Sequence, residues 1–291
     1  MMAETKPIRV AQIIGMAIDG GVEACIMNYY RNIDKTKVQF DFFVETTSNI
    51  INKHDIETMG GKVFIIPSYK NIFIYMKTLR KIFKMNHYDI VHSNMNSLSL
   101  FPLKAAKMAG VKIRIAHSHS TSNAKEKFRN FLKNILRKFS KKYATHYFAC
   151  GEKAGRWLFG NKVYDEGKVS IINNGICIDK FKFNIDTRYS IRKKYGLNDD
   201  FVVGNIGRMV TQKNQEFLID VFFEIQKQKV NSRLIIVGDG PLLKKLTEKS
   251  KKLNINNKIV FCGAQKQIQD YYNCMDCFVL PSIYEGVPVV S

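Results

Sequence analysis

Short apolar runs alternate with amphipathic segments along the first half of the chain. IRVAQII (8–14) ends at Gly15, and a loop closing with Gly20-Gly21 separates it from VEACIMNYYRNI, which has helical periodicity. Similar runs follow at FDFFV (40–44), KVFII (62–66), DIVHS (89–93), RIAHS (114–118) and HYFAC (146–150). Buried parallel strands have this continuous apolar character. The pattern therefore predicts an α/β domain with a doubly wound sheet.

A second series of the same kind begins near residue 200. Its predicted strands are FVVGNIG (201–207), RLIIVG (233–238), KIVFCG (258–263) and CFVLPS (277–282). Helices are predicted between them, one of them over 241–253 with Pro241 at its first position. The polar stretch 179–200 is interpreted as the linker. We place two Rossmann-like domains at 1–182 and 183–291. Four strands are few for a doubly wound domain, so we expect the second domain to be incomplete and the chain truncated.

Charge narrows the choice of partners. The chain has 46 Lys and Arg against 25 Asp and Glu, a formal net charge of +21. Such a surface favours nucleic acid, acidic lipid headgroups or phosphorylated substrates. The lysines are scattered along the chain, so part of this excess is a compositional habit of solvated faces.

The cysteines and the apolar segments of the sequence indicate in which cellular compartment the protein is located. Of the six cysteines, only Cys274 and Cys277 are closely spaced, and a zinc site would need a second ligand pair that the sequence does not offer. We expect packed, reduced thiols and a cytoplasmic location. The apolar segment 10–18 is too short to span a membrane and does not lead into a small-residue cleavage site, so we do not interpret it as a signal peptide.

The segment GNIGRMVTQKN (204–214) is the strongest candidate for chemistry. A predicted buried strand ends at Gly207, at the carboxyl edge of a parallel sheet, where ligands bind in such folds. Arg208 and Lys213 lie on the loop that enters the next helix. Two cations beside a helix N-terminus suit a diphosphate. Solvated loop cations are the alternative for either residue alone.

The other strands of this half deliver comparable loops to the same edge. Gly238 follows the second strand, Gly263 ends the third, and Glu285-Gly286-Val287 follow the fourth. Together they predict a nucleotide crevice. No G-x-G-x-x-G follows a strand here, so the crevice is not of the dinucleotide type.

The run GRMVTQKN…LIIVGDGP…VFCG…DCFVLPSIYEGVPVV resembles the C-terminal domain of retaining, nucleotide-sugar-dependent glycosyltransferases of family 4. GGVEACIMNYYRNIDKTKVQFDFFV is similar to the start of capsule and exopolysaccharide members, and NNGICIDKF (173–181) to the interdomain hinge, with Cys177 where the hinge commonly has Asp. The resemblance implies the GT-B fold, in which two Rossmann-like domains face each other across a cleft. It also implies a sugar transfer in cell-surface polysaccharide synthesis.

The resemblance also implies roles for individual residues. Arg208 and Lys213 match the cations that hold the donor diphosphate, and Glu285 matches the first carboxylate of Glu-x7-Glu, which contacts the donor sugar. Gly20 and Gly21 match the glycine loop that closes on the donor. At the other end of the chain, the backbone amides near Gly286 and Val287 would face phosphate. His119 matches a histidine near the reacting sugar, and His117 is a weaker candidate. The second Glu would fall beyond Ser291, so we expect this chain to bind donor weakly and to turn over little.

The chemistry that these roles imply needs no metal. Negative charge builds on the leaving diphosphate, and Arg208, Lys213 and a helix N-terminus can stabilise it. The cleft has no Asp-x-Asp, so we expect no metal and no other cofactor. The sequence shows no obvious second carboxylate that could act as a covalent nucleophile, in contrast to retaining hydrolases.

AKEKFRNFLKNILRKFSKKYA (124–144) is a basic amphipathic segment whose stripe contains Phe128, Ile135 and Phe139. The stripe either packs on the sheet or docks on anionic lipid, which would suit a lipid-linked acceptor. The predicted helix 75–88 is basic too.

Two other functions stay open. One is a GT-B nucleotide-sugar epimerase, and the other is a nucleic-acid-binding protein, for which no recognition motif is present.

Overall fold

The computed structural model describes residues 6–15, 20–46, 53–119 and 127–283, with the side chains of 127–133 excepted. These residues form two compact units. The first unit ends at Ile176 and the second begins at Cys177. The division that we expect between residues 182 and 183 stays a prediction.

The first unit contains a seven-stranded sheet among its described residues, and every strand pair in it is parallel. The strand order is β3-β2-β1-β4-β5-β6-β7, which reverses direction at β1. Ligands bind at such a reversal in open α/β sheets. The strands are β1 (Ile8–Gly15), β2 (Val38–Glu45), β3 (Val63–Ile66), β4 (Ile90–Ser93), β5 (Ile113–Ser118), β6 (His146–Ala149) and β7 (Val169–Ile171).

Helices cover both faces of this sheet. They are α1 (Gly21–Asn32), α2 (Lys53–Thr58), α3 (Ile72–Asn86), α4 (Leu100–Met108), α5 (Lys127–Ser140), α6 (Glu152–Phe159) and α7 (Asn161–Asp165), with a 3-10 turn at Asn96–Ser99. A further 3-10 turn, Ile178–Phe181, belongs to the second unit. One core packs Phe43, Leu79 and Leu103, and another packs Met27 and Phe42. Apolar residues on both faces explain why the strands are continuous apolar runs.

The second unit contains a smaller parallel sheet of order β10-β9-β8-β11 in its described residues. Its elements are β8 (Phe201–Ile206), β9 (Ser232–Val237), β10 (Ile259–Phe261), β11 (Cys277–Phe278), α8 (Ile185–Tyr195), α9 (Gln215–Gln228), α10 (Leu243–Lys252) and α11 (Ile268–Cys274), with 3-10 turns at Thr211–Lys213 and Asn256–Lys258. The two doubly wound α/β patterns of the sequence are confirmed.

The interpretation of residues 179–200 as a linker is wrong. Half of this stretch is the helix α8. It begins after Asn184, whose side chain accepts a hydrogen bond from Thr187 N–H at 2.8 Å. Arg192 on α8 is buried and bonds Asp276 Oδ2 at 2.7 Å. Helices were predicted from apolar stripes at helical spacing, and a polar helix that packs through arginines has no such stripe.

Smaller differences have local causes. The helix predicted from Pro241 begins at Leu243, because residues 240–242 turn against Met209 through a hydrogen bond from Leu242 N–H to the Met209 carbonyl at 3.1 Å. Cys277, expected to be buried, is exposed on the two-residue strand β11, whereas Cys274 is buried.

Candidate functional site

The loop after β8 folds back on itself at the carboxyl edge of the second sheet. A Cβ placed on Gly207 would lie 3.4 Å from Cδ of Lys213, so the stem of Lys213 crosses directly over the glycine. Lys213 N–H bonds the Val210 carbonyl at 2.9 Å, and Asn214, with φ of 54°, turns the chain into α9. The loop therefore brings the predicted residues Gly207, Arg208 and Lys213 together.

The glycine after β9 is needed for the loops to meet. A Cβ on Gly238, where φ is +134°, would lie 2.2 Å from the carbonyl oxygen of Gly207. Gly238 N–H also donates to the Gly263 carbonyl at 2.8 Å. The glycines that follow β8, β9 and β10 thus lie together at one edge of the sheet, which is the common edge predicted for Gly207, Gly238 and Gly263. Their roles in binding stay predictions. Such an edge leaves room for a ligand to approach the backbone.

Buried polar side chains hold this loop, and sequence reasoning missed them. Gln215 is fully buried, and its Nε2 donates to the carbonyl of Arg208 at 3.1 Å and to Oδ1 of Asn205 at 3.3 Å. Asn205, in turn, bonds the Val279 carbonyl at 2.8 Å. A polar residue inside the apolar run of β8 was the available signal, because buried polar groups need partners.

The two loop cations differ in their surroundings. Arg208 is exposed, whereas Lys213 is half-buried by its stacking on Gly207. Both precede the first turn of α9, whose N-terminus carries a partial positive charge. The arrangement can bind an anion of the size of a phosphate group or a diphosphate. Glu285, Gly286 and Val287 lie outside the described residues, so their predicted roles stay predictions.

The predicted histidine of the first unit lies one strand away from the switch point of its sheet and reaches a residue there. His119 follows β5, and its Nε2 lies 2.8 Å from Oδ1 of Asn94, which follows β4. Nδ2 of Asn94 donates to Oε1 of Gln12 in β1 at 3.0 Å. The Asn94 oxygen is therefore left to accept, which assigns the proton of His119 to Nε2 and a lone pair to Nδ1. Sequence reasoning missed both Asn94 and Gln12.

Three histidines stack beneath this point. The ring of His117 lies 3.9 Å from that of His119 and 5.1 Å from that of His92, and Nε2 of His92 lies 3.0 Å from Nδ1 of His117. Burial, with repulsion from the neighbouring rings, lowers the pKa of His92 to about 3 and that of His117 further. Burial lowers the pKa of His119 to about 4. All three rings are therefore neutral near pH 7.

Nε2 of His117 is buried and has no hydrogen-bond partner among the described residues. An unpartnered lone pair costs less than an unpartnered N–H. This favours a proton on Nδ1 of His117, donated to His92. The weaker candidate His117 thus supports the stack, and Nδ1 of His119 is left without a hydrogen-bond partner among the residues that the structure describes.

Gly20 and Gly21 lie at the start of α1, the first helix after β1 in the described residues. Gly20 is the N-cap residue, and its carbonyl accepts from Ala24 N–H at 3.0 Å. Further along α1, Asn28 Nδ2 donates to the Gly175 carbonyl at 3.0 Å. The predicted glycine loop therefore leads into a helix anchored on residues 173–175.

No group of three His, Cys, Asp or Glu side chains suited to a metal occurs in the described ranges. The expectation of metal-independent chemistry stays a prediction, since it concerns the whole site.

The basic segment 124–144 forms α5 over 127–140. Ile135 and Phe139 are 38% and 49% exposed, so this part of the stripe does not pack on the sheet. On another side, Arg137 and Lys141 donate to the carbonyls of Trp157 and Phe159 at 2.7 and 3.0 Å, which caps the end of α6. These cations line a cavity of about 360 Å³ together with residues 156–161.

No helix in the described part of the chain is long and apolar enough to cross a bilayer.

Comparisons with known proteins agree with this architecture. Residues 19–180 match Glycosyltransferase Family 4, and residues 187–291 match Glycosyl transferases group 1. The putative glycosyltransferase EpsF of Bacillus subtilis (strain 168) is 32% identical over 97% of this chain and 75% of its own length. The capsular polysaccharide biosynthesis glycosyltransferase CapH of Staphylococcus aureus is 26% identical over 97% of this chain and 77% of its own.

Solved structures show the same fold. The crystal structure of Anabaena HepE in complex with UDP and glucose superposes with a TM-score of 0.78 at 19% identity, over 94% of this chain and 74% of that one. The predicted GT-B fold, with two Rossmann-like domains, is confirmed. The chain therefore belongs to glycosyltransferase family 4 and is a glycosyltransferase similar to those of capsule and exopolysaccharide synthesis.

Proposed function

We propose that this glycosyltransferase moves a hexose from a nucleoside diphosphate sugar to a glycan acceptor carried on a lipid, with retention of configuration, during synthesis of a cell-surface polysaccharide. The names of relatives support the proposal. An Escherichia coli relative, 23% identical over 99% of this chain and 77% of its own length, is a UDP-Gal:alpha-D-GlcNAc-diphosphoundecaprenol alpha-1,3-galactosyltransferase. HepE has been crystallised with UDP-glucose.

The loop from Gly207 to Lys213 is the observation that carries the proposal. Cleavage of the bond between the anomeric carbon and the diphosphate leaves negative charge on the phosphate oxygens. Arg208, Lys213 and the first turn of α9 form a preorganised positive environment for that charge. In this scheme the loop cations do the work of a metal, and the chain needs no cofactor besides its donor.

His119 is the hydrogen-bond acceptor in the proposed mechanism. Its Nε2–H is committed to Asn94, so Nδ1 of the neutral ring offers a lone pair to a hydroxyl of the donor sugar. Retention then requires attack on the face from which the diphosphate departs, since we assign no covalent carboxylate nucleophile.

A cytoplasmic location with peripheral contact to an anionic membrane completes the proposal. All six cysteines are free thiols, which suits a reducing compartment. The exposed Ile135 and Phe139 on α5 suit contact through 124–144. Nucleic acid is not an expected partner.

The test is nucleotide release from a panel of UDP- and GDP-sugars, with and without a polyprenol diphosphate sugar. Release that depends on the acceptor, with the sugar recovered on the lipid in its original configuration, is the expected result. A free epimer formed without acceptor would instead support the epimerase alternative. Lys213→Ala should abolish transfer while the fold is kept, and near-normal turnover would contradict the diphosphate assignment.

A further inference from the structure

The helix α3 has one face in the core and one face that carries large apolar side chains into solvent. Tyr75, Leu79 and Phe83 are buried against the sheet. On the outside, Phe73 is 89% exposed, and Ile74 and Met85 are 52% and 68% exposed. The sequence predicted this helix from residue 75, whereas it begins at Ile72, so Phe73 and Ile74 belong to its first turn.

Cations share this outer face. Lys77, Lys81 and Lys84 follow Phe73 at helical spacings of four, eight and eleven residues, which places them on one side of the helix. They are exposed, as is Arg80, and none of these four forms an ion pair with a described residue. The helix contains no Asp or Glu. The outer face of α3 is thus positive and apolar at the same time.

We propose that the outer face of α3 docks the protein on an anionic lipid surface. Lysines are attracted to acidic headgroups while apolar side chains between them enter the boundary with the acyl chains. The composition disfavours a protein partner, because the cores of protein interfaces are depleted in lysine. Lysine stems can lie along an apolar surface and still keep their charges in water.

The start of α3 lies at the same edge of the sheet as the candidate site of the first unit. In a parallel sheet the helix that follows a strand begins at the carboxyl edge. Phe73 and Ile74 therefore lie at the edge where Asn94 and His119 also lie. A lipid-linked acceptor would present its polar head close to that edge. This reading deepens the proposed function and rests on it for the nature of the acceptor, but lipid binding itself needs no catalysis and is tested separately.

Flotation with vesicles tests the proposal. The protein should float at low salt with vesicles of phosphatidylcholine and phosphatidylglycerol, and not with phosphatidylcholine alone. Lys77→Glu, Lys81→Glu and Lys84→Glu together should weaken binding on the order of a hundredfold or more, since each lysine contributes about a fivefold factor at an anionic surface. The control changes the same charge on α10, with Lys244→Glu, Lys251→Glu and Lys252→Glu, and should bind almost normally.

A fluorescence reporter locates the contact. The single tryptophan, Trp157, is replaced by Phe, and Phe73→Trp is introduced. Its emission should shift to the blue with anionic vesicles, whereas Phe217→Trp, 54% exposed on α9, should not shift. Equal loss in both triple variants, or a static Phe73→Trp spectrum, would overturn the proposal. If only Phe139→Ser abolished flotation, the contact through 124–144 would be sufficient and α3 would not be a docking face. An acidic protein that binds the outer face of α3 while vesicles do not would also contradict the proposal.

Discussion

Nε2 of His119 lies 2.8 Å from Oδ1 of Asn94, although 25 residues separate them in the chain. Asn94 is oriented in turn by Gln12 at 3.0 Å. Three adjacent strands, β1, β4 and β5, thus supply one hydrogen-bonded row that fixes the orientation and the tautomer of the histidine. Asn94 and Gln12 position His119, and the assigned tautomer leaves the lone pair on Nδ1 of the ring.

Asn94→Asp should raise the pKa of His119 from its value of about 4, because a carboxylate opposite Nε2 stabilises the imidazolium. NMR titration of the ring protons measures the shift. Transfer should fall as the ring becomes protonated and Nδ1 loses its lone pair. A titration midpoint that does not move in this variant would show that Asn94 does not contact the ring in solution.

The histidine stack predicts sensitivity to acid. The pKa values of His92 and His119 are lowered to about 3 and about 4, while an unfolded histidine titrates near pH 6.5. Between these values the unfolded chain binds more protons, so stability is lost as the pH falls from about 6.5 toward 4. Each histidine contributes a slope of up to about 1.4 kcal/mol per pH unit.

Urea unfolding at pH 7.5 and at pH 5 measures this loss. His119→Gln should reduce the difference between the two midpoints, whereas the exposed His146→Gln should leave it unchanged. An equal difference in both variants would contradict the link to the stack.

Gly238→Ala should disturb the second unit strongly. The new Cβ would lie 2.2 Å from the Gly207 carbonyl, and φ of +134° disfavours any side chain. Loss of about 2 kcal/mol or more is expected, with loss of diphosphate binding because the loop is displaced. Gly110→Ala is the matched control, since its φ is +89° but nothing lies within 4 Å of the new atom. Thermal unfolding should separate the two.

Asp276 should be important for attaching α8. It bonds Arg192 at 2.7 Å and Val202 N–H at 2.8 Å, and Arg192 is only 8% exposed. Burial raises the pKa of Asp276, but the bonds from Val202, Arg188 and Arg192 outweigh it and lower the pKa. Asp276→Ala leaves a buried cation unpaired and should cost about 3 kcal/mol or more by urea unfolding. Asp270→Ala on α11 serves as the control.

The periodicity of apolar residues was sufficient to predict most of the fold. Ten of the eleven described strands fall on short apolar runs, because both faces of each sheet are covered. β7 (Val169–Ile171) was missed, since it is a three-residue edge strand with two exposed residues. α8 was missed because it packs through Arg188 and Arg192, and no apolar stripe marks it.

The place of the loop residues in the fold was predicted in part, whereas their roles stay predictions. Gly207, Arg208, Lys213 and Gly238 were recognisable because each follows the end of a predicted strand. The partners Asn94, Gln12 and Gln215 were not, since a sequence does not state which strands are neighbours or in which register. Gln12 and Asn94 are 82 residues apart and meet only through the parallel pairing of β1 with β4.

The measurement that tests the central claim most directly is calorimetric titration with nucleoside diphosphates, each compared with its nucleoside. One diphosphate should bind more tightly than its nucleoside, and Arg208→Ala and Lys213→Ala should each remove most of that difference while Lys244→Ala keeps it. If the diphosphate gains nothing over the nucleoside, or if both loop variants bind it as the unaltered chain does, then the loop from Gly207 to Lys213 is not the donor site.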